Sequence, residues 1–228
     1  MSQGNKINSN TIKITDNEMN TIEGTLTIPD RITHTKGIVI FAHGSGSSRF
    51  SPRNKYVAQT LNRASIATLL IDLLTPEEER VDDITREHRF DISLLARRLV
   101  SCANWVTQNP EVKDFKIGYF GASTGAAAAL VAAAADPIVG AIVSRGGRPD
   151  LAGNEILARI EAPTLLIVGE NDGEVIKLNQ EALKGLIKIQ NKKKLIIIQG
   201  ATHLFEEPGT LEQVARHATG WFERFFLE

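Results

Sequence analysis

Phe115-Lys116-Ile117-Gly118-Tyr119-Phe120 runs directly into Gly121-Ala122-Ser123-Thr124-Gly125, and that pentapeptide into Ala126–Ala135, an almost unbroken alanine tract. The first segment has the short apolar character of a strand buried on both faces. The alanine tract is a strong helix former. Between them the chain must turn very sharply, and the residues two before and two after the serine must then be small. Gly121 and Gly125 meet that demand. Ser123 is left at a helix N-terminus, where free N–H groups and the helix dipole favour negative charge. A plain reading makes Ser123 an N-cap in a glycine-rich turn. The strand–turn–helix context instead favours an exposed nucleophile. Because small side chains let a helix lie close to a sheet, the alanine helix belongs at the centre of the fold.

Outward from that segment the pattern repeats. Upstream, Thr11–Thr15 and Thr21–Ile28 alternate as strands, and Gly37–Ala42 is a buried-strand run. A helix over 53–64 and a strand over 66–71 follow. The helix over 90–107 carries Ile92, Leu95, Leu99, Cys102 and Val106 at helical spacing. Downstream come a strand over 139–144, a short helix over 151–159, a strand over 164–168, a helix over 174–190, a strand over 195–198 and a helix from 209. Strands alternating with helices predict an α/β fold, a mostly parallel central sheet with helices on both faces. The stretch 72–88 reads as the longest irregular loop, with Glu77-Glu78-Glu79 as a solvated face. Residues 1–20 read as an N-terminal segment with the first strand, and 21–228 as a single domain. Lys192-Lys193-Lys194 reads as a solvated turn.

Ligands of such sheets bind beyond the carboxyl ends of the strands. A serine hydroxyl needs a base there. Of the five histidines, His34, His88 and His217 read as solvated or capping, and His43 as an anchor of the loop after its strand. His203 follows the last strand and is the expected base. The acid that would orient it is Asp172, after the strand 164–168; Glu170 and Asp150 are the competitors. The chain order Ser123, Asp172, His203 is that of nucleophile-elbow enzymes. Oxyanion donors are expected from the backbone N–H groups of Thr124 and of Ser45, in the loop His43-Gly44-Ser45-Gly46.

FAHGSG, GYFGASTG, LLIVGENDGEV and GATHLFEEPG occur in that order, and SRGGRPDLA lies between the second and third. On these motifs the chain resembles the α/β-hydrolase superfamily, and within it the dienelactone-hydrolase-like group, over about residues 20–228. The resemblance implies ester, thioester or lactone hydrolysis through an acyl-enzyme, with no cofactor and no metal. Ser123 stands where dienelactone hydrolases proper have cysteine, so the implied activity is general hydrolysis rather than cleavage of a dienelactone itself. Acyl transfer would use the same residues, and a catalytically silent binding scaffold is the reading from another class. Only about 20 residues separate the strand ending near Ser144 from the next, an ordinary connection. No large cap domain is expected.

The remaining expectations concern partners. Arg49, Arg145 and Arg148, with Arg89 behind them, fall in loops beyond strand ends and suit an anionic ester or lactone. A net charge of -1 gives no pull toward nucleic acid or a membrane surface. The polar N-terminus predicts no signal peptide and no apolar run predicts a membrane span. A single cysteine, Cys102, suits a cytoplasmic, reducing setting. Oligomeric state is left open.

Overall fold

The computed structural model describes residues 7–16, 18–30 and 37–227. His34 and the N-terminal residues 1–6 lie outside them. Eight strands form one sheet: β1 (Ile7–Thr15), β2 (Thr21–Pro29), β3 (Gly37–Ala42), β4 (Ala67–Ile71), β5 (Lys116–Ala122), β6 (Val139–Arg145), β7 (Thr164–Gly169) and β8 (Lys193–Ile198). Their order is β1-β2-β4-β3-β5-β6-β7-β8. β1 and β2 are an antiparallel hairpin, and β2 pairs antiparallel with β4. Strands β3 to β8 are parallel. The parallel part is flanked on both faces, so its strands are continuous apolar runs. All six residues of β3 and all six of β7 are buried.

One face is covered by α1 (Pro52–Arg63) and α7 (Thr210–Leu227). Val57 and Leu61 of α1 meet Val214, Ala218, Phe222 and Phe226 of α7 over β3, β5 and β6. The other face carries α3 (Ile92–Gln108), α4 (Thr124–Ala135) and α6 (Gly173–Gly185). Nine of the twelve residues of α4 are buried, which makes the alanine helix the centre of this layer. β6 and β7 are joined by a 3-10 turn at Pro149–Leu151 and the single-turn helix α5 (Asn154–Leu157), so no cap rises there.

The stretch read as an irregular loop contains a helix, α2 (Pro76–Thr85). Its signal was in the sequence as Thr75-Pro76-Glu77-Glu78. Thr75 accepts from the Glu78 N–H, the Glu78 carboxylate accepts from the Thr75 N–H, and Pro76 opens the helix. What hid it was the lack of an apolar stripe, for Asp82 is its buried residue. Polar contacts hold it instead. The fully buried guanidinium of Arg98 on α3 is gripped by Glu78 at 2.6 Å and by Asp16 of the β1–β2 turn. Glu78 is therefore an internal ion-pair partner, not part of a solvated face. The lysine run also differs from expectation. Lys193 already belongs to β8, and its Nζ donates to the Leu183 and Leu186 carbonyls at the end of α6.

Candidate active site

The carboxyl ends of β3, β5, β6, β7 and β8 converge on one edge of the sheet. The register sets Ala42 of β3 beside Gly121 of β5, and Ala122 beside Arg145 of β6. The residues that follow therefore share one rim. Ser123 sits between β5 and α4 with φ 51° and ψ -119°, a conformation that strains a non-glycine residue. Its hydroxyl does not cap the helix. The elbow is possible only because of close backbone approach. A Cβ at Gly121 would lie 2.4 Å from the Ala126 Cα, and one at Gly125 would lie 2.3 Å from the His43 carbonyl oxygen.

Asp172 and His203 come together across 31 residues of sequence. The His203 Nδ1 is 2.6 Å from an Asp172 carboxylate oxygen, which fixes the tautomer with Nδ1 protonated and Nε2 free to accept. Asp172 occupies the N-cap position of α6, yet its side chain does not cap; it is spent on the imidazole. The two loops are bound to each other by Asn171 N–H to the Ala201 carbonyl at 2.9 Å and Asn171 Nδ2 to the Gly200 carbonyl at 3.0 Å. Glu170, a rival for the acid role, accepts the Gly200 N–H at 2.8 Å, so it shapes the loop beneath the histidine. The other rival, Asp150, is paired with Arg148. Gly146 lies under the ring, and a Cβ there would be 3.4 Å from the His203 Nδ1 and Cε1.

Ser123 and His203 line the same cavity, about 240 Å³ in volume. Among the described residues no hydrogen bond joins the Ser123 Oγ to the imidazole; in an unliganded site such links often close only around substrate. Thr124 holds the first helical position, whose N–H has no intrahelical acceptor. The Ser45 N–H, expected as the second oxyanion donor, instead donates to Thr124 Oγ1 at 2.9 Å. That bond clips the β3 loop to the elbow. His43 is the anchor of the same loop. Its Nδ1 donates to the Gly44 carbonyl at 2.9 Å, and its Nε2 accepts the Leu73 N–H at 3.1 Å. Burial lowers its pKa, so it stands neutral as both bonds require.

The arginines separate. Arg49 is not available to a ligand: it is locked by Asp72 and, at 2.6 Å, by Glu23. Arg148 makes a bidentate pair with Asp150 at 2.9 and 2.7 Å, outside the cavity lining. Arg89 is held by Asp82. Arg145 alone of the four lines the cavity with Ser123 and His203. Sequence reasoning missed Ser51, Arg53 and Asn54, which line it too. The signal was Ser51-Pro52, an N-cap followed by a proline at the first helical position, directly after the β3 loop. Burial pushes the Cys102 thiol far up, away from any nucleophilic role. Among the described residues no group of three His, Cys, Asp or Glu side chains is placed to hold a metal ion. None of the described helices is long and apolar enough to cross a membrane.

The sequence model of the dienelactone hydrolase family matches residues 22–226. A solved dienelactone hydrolase from Anabaena variabilis is 55% identical and superposes with a TM-score of 0.90, over 96% of this chain and 98% of that one. Est1E from Butyrivibrio proteoclasticus, 17% identical, superposes with a TM-score of 0.78 over 96% and 99%, a likeness of fold. A Mycobacterium tuberculosis protein provisionally named a phosphoribosyl transferase is 57% identical over 203 residues, 88% of this chain and 43% of its own length. The chain thus spans less than half of that relative. The fold is the α/β-hydrolase fold without a large cap.

Proposed function

We propose that this chain, which belongs to the dienelactone hydrolase family, cleaves a small ester, thioester or lactone through an acyl-enzyme on Ser123. The observation that carries the reading is the 2.6 Å bond from His203 to Asp172, which leaves Nε2 unprotonated in a cavity that Ser123 also lines. His203 Nε2 takes the Ser123 proton as Oγ bonds to the acyl carbon. The Asp172 carboxylate stabilises the imidazolium. The oxyanion is met by the Thr124 N–H and by the Ser45 N–H once its bond to Thr124 Oγ1 opens, each donor contributing about 3 kcal/mol. Collapse breaks the bond to the alkoxide or thiolate, which leaves with the proton from His203. Water then repeats the sequence, giving its proton to Nε2 and freeing the acid from Ser123.

A cavity of about 240 Å³ suits a small substrate. Arg145 at its wall suits an anionic one. The transferase name of the mycobacterial relative describes a protein more than twice the matched length, and the residues here favour hydrolysis. One buried cysteine is consistent with a cytoplasmic enzyme. Fluorophosphonate labelling of the native protein and of Ser123→Ala, followed by intact mass, is the test. A single adduct on the native protein, absent from the variant, is expected. No adduct on folded native protein would turn the reading toward a silent binding scaffold.

A further inference from the structure

Arg145 is 7% exposed, and its Nε is buried with no acceptor. Its guanidinium carbon lies over the Phe205 ring, 5.8 Å from the centroid. Among the described residues no carboxylate lines the cavity, and Asp172, Asp150, Asp72 and Glu206 are bonded to His203, Arg148, Arg49 and Arg53 in turn. Burial and the neighbouring Arg53 lower the pKa of Arg145 to about 10, which still leaves it charged at neutral pH. A buried guanidinium without a counter-charge is costly, and such a cost is borne where a ligand supplies the charge.

A second guanidinium lines the same cavity. Arg53 lies in the first turn of the twelve-residue α1, whose N-terminus opens on the cavity through Ser51 and Asn54. Arg53 Nη1 donates to Glu206 at 2.9 Å, and its Nε is buried without a partner. Asn54 is 2% exposed, and its side-chain oxygen is likewise unpartnered.

We propose that Arg145, Arg53 and the first turn of α1 form a subsite for a phosphate group carried by the substrate, so that the enzyme acts on a phosphorylated ester or lactone. A carboxylate has two oxygens and one charge, which a single guanidinium fork satisfies. Here two guanidiniums line one cavity from separate elements, Arg145 with no carboxylate partner and Arg53 with one nitrogen given to Glu206 and the rest of its fork unspent. A phosphate monoester has three terminal oxygens and a charge of about -1.5 to -2, enough to accept from both guanidiniums at once. The substrate class rests on the reading of Ser123 as nucleophile, but the anion subsite can be measured without turnover.

Inorganic phosphate is titrated into the protein at constant ionic strength and followed by calorimetry and thermal unfolding, with sodium acetate in parallel. Saturable phosphate binding is expected, at least tenfold tighter than acetate and at least tenfold weaker in Arg145→Gln and in Arg53→Gln. Arg159→Gln, at the far end of the sheet, should keep the native affinity. Two aryl esters of one acyl chain, ending in phosphate or in its dimethyl ester, are then compared. The phosphate form should have the lower KM, and Arg145→Gln should remove that advantage chiefly through KM. Equal binding of acetate would replace phosphate by carboxylate and overturn the proposal. So would no binding, or binding that neither variant weakens. Phosphate binding to native protein whose Ser123 takes no fluorophosphonate would leave the subsite standing and sink the hydrolase reading; labelling without phosphate binding does the reverse.

Discussion

Gly125→Ala tests the elbow directly. The added Cβ would sit 2.3 Å from the His43 oxygen and 2.4 Å from the Ala42 oxygen. Carbon and carbonyl oxygen ordinarily meet at about 3.3 Å or more, so the overlap is about 1 Å against two backbone groups that cannot rotate away. Overpacking against movable side chains costs about 1–3 kcal/mol, and a backbone clash belongs at or beyond the upper end. For a chain of this size about 3 kcal/mol lowers Tm by roughly 6–12 °C. Relief requires the start of α4 to move off β3 and carry Ser123 with it, and a shift of about 1 Å at a reacting atom costs about 100-fold in rate. Thermal unfolding and the rate of fluorophosphonate labelling read both effects. Gly220→Ala is the matched control. It lies exposed within α7, where an added Cβ meets nothing within 4 Å, so it should stabilise by about 0.5–1 kcal/mol. A Gly125→Ala protein within 2 °C of native Tm and labelled at the native rate would refute the argument that close packing of strand, loop and helix builds the elbow.

Asp172→Asn keeps the shape of the pair but favours the wrong tautomer of His203, and should lower kcat about 10⁴-fold with Tm nearly unchanged, measured on any ester the native enzyme turns over. His43 supplies a pH dependence. Its native pKa lies below the unfolded value of about 6.5, so the unfolded chain takes the proton first as pH falls. Stability should be full above about pH 6.5, decline below it, and stop declining on this account once pH passes under the lowered native value. His43→Leu should remove that slope in denaturant unfolding across pH 5–7. The same substitution should cost about 1–3 kcal/mol at pH 7, because the Leu73 N–H loses its acceptor.

Much of this protein was legible before folding was considered. The strand–turn–helix at 115–135 depends on local chemistry: a buried strand, two glycines where nothing larger fits, and alanines that let a helix lie on a sheet. The parallel strands were legible for a similar reason, since burial on both faces writes them as unbroken apolar runs. α2 escaped because its stability comes from a capping box and an ion pair to Arg98, not from an apolar stripe. His203 and Asp172 were placed by their positions after strands, but the bond between them exists only because β7 and β8 are neighbours in register.

The arginines mark the limit of sequence. Arg49, Arg145 and Arg148 are alike as letters at or beyond strand ends, and each has the same affinity for a carboxylate. Which one keeps its charge unspent depends on which carboxylates the fold brings within reach. β2 and the end of β4 bring Glu23 and Asp72 to Arg49, the 3-10 turn brings Asp150 to Arg148, and no carboxylate is bonded to Arg145 among the described residues. The sequence by itself determined that Ser123, Asp172 and His203 each stand just after a strand, because turn sterics and strand burial are local. Only the tertiary structure decided which charges are cancelled and which face the cavity, because pairing depends on distances between segments far apart in sequence.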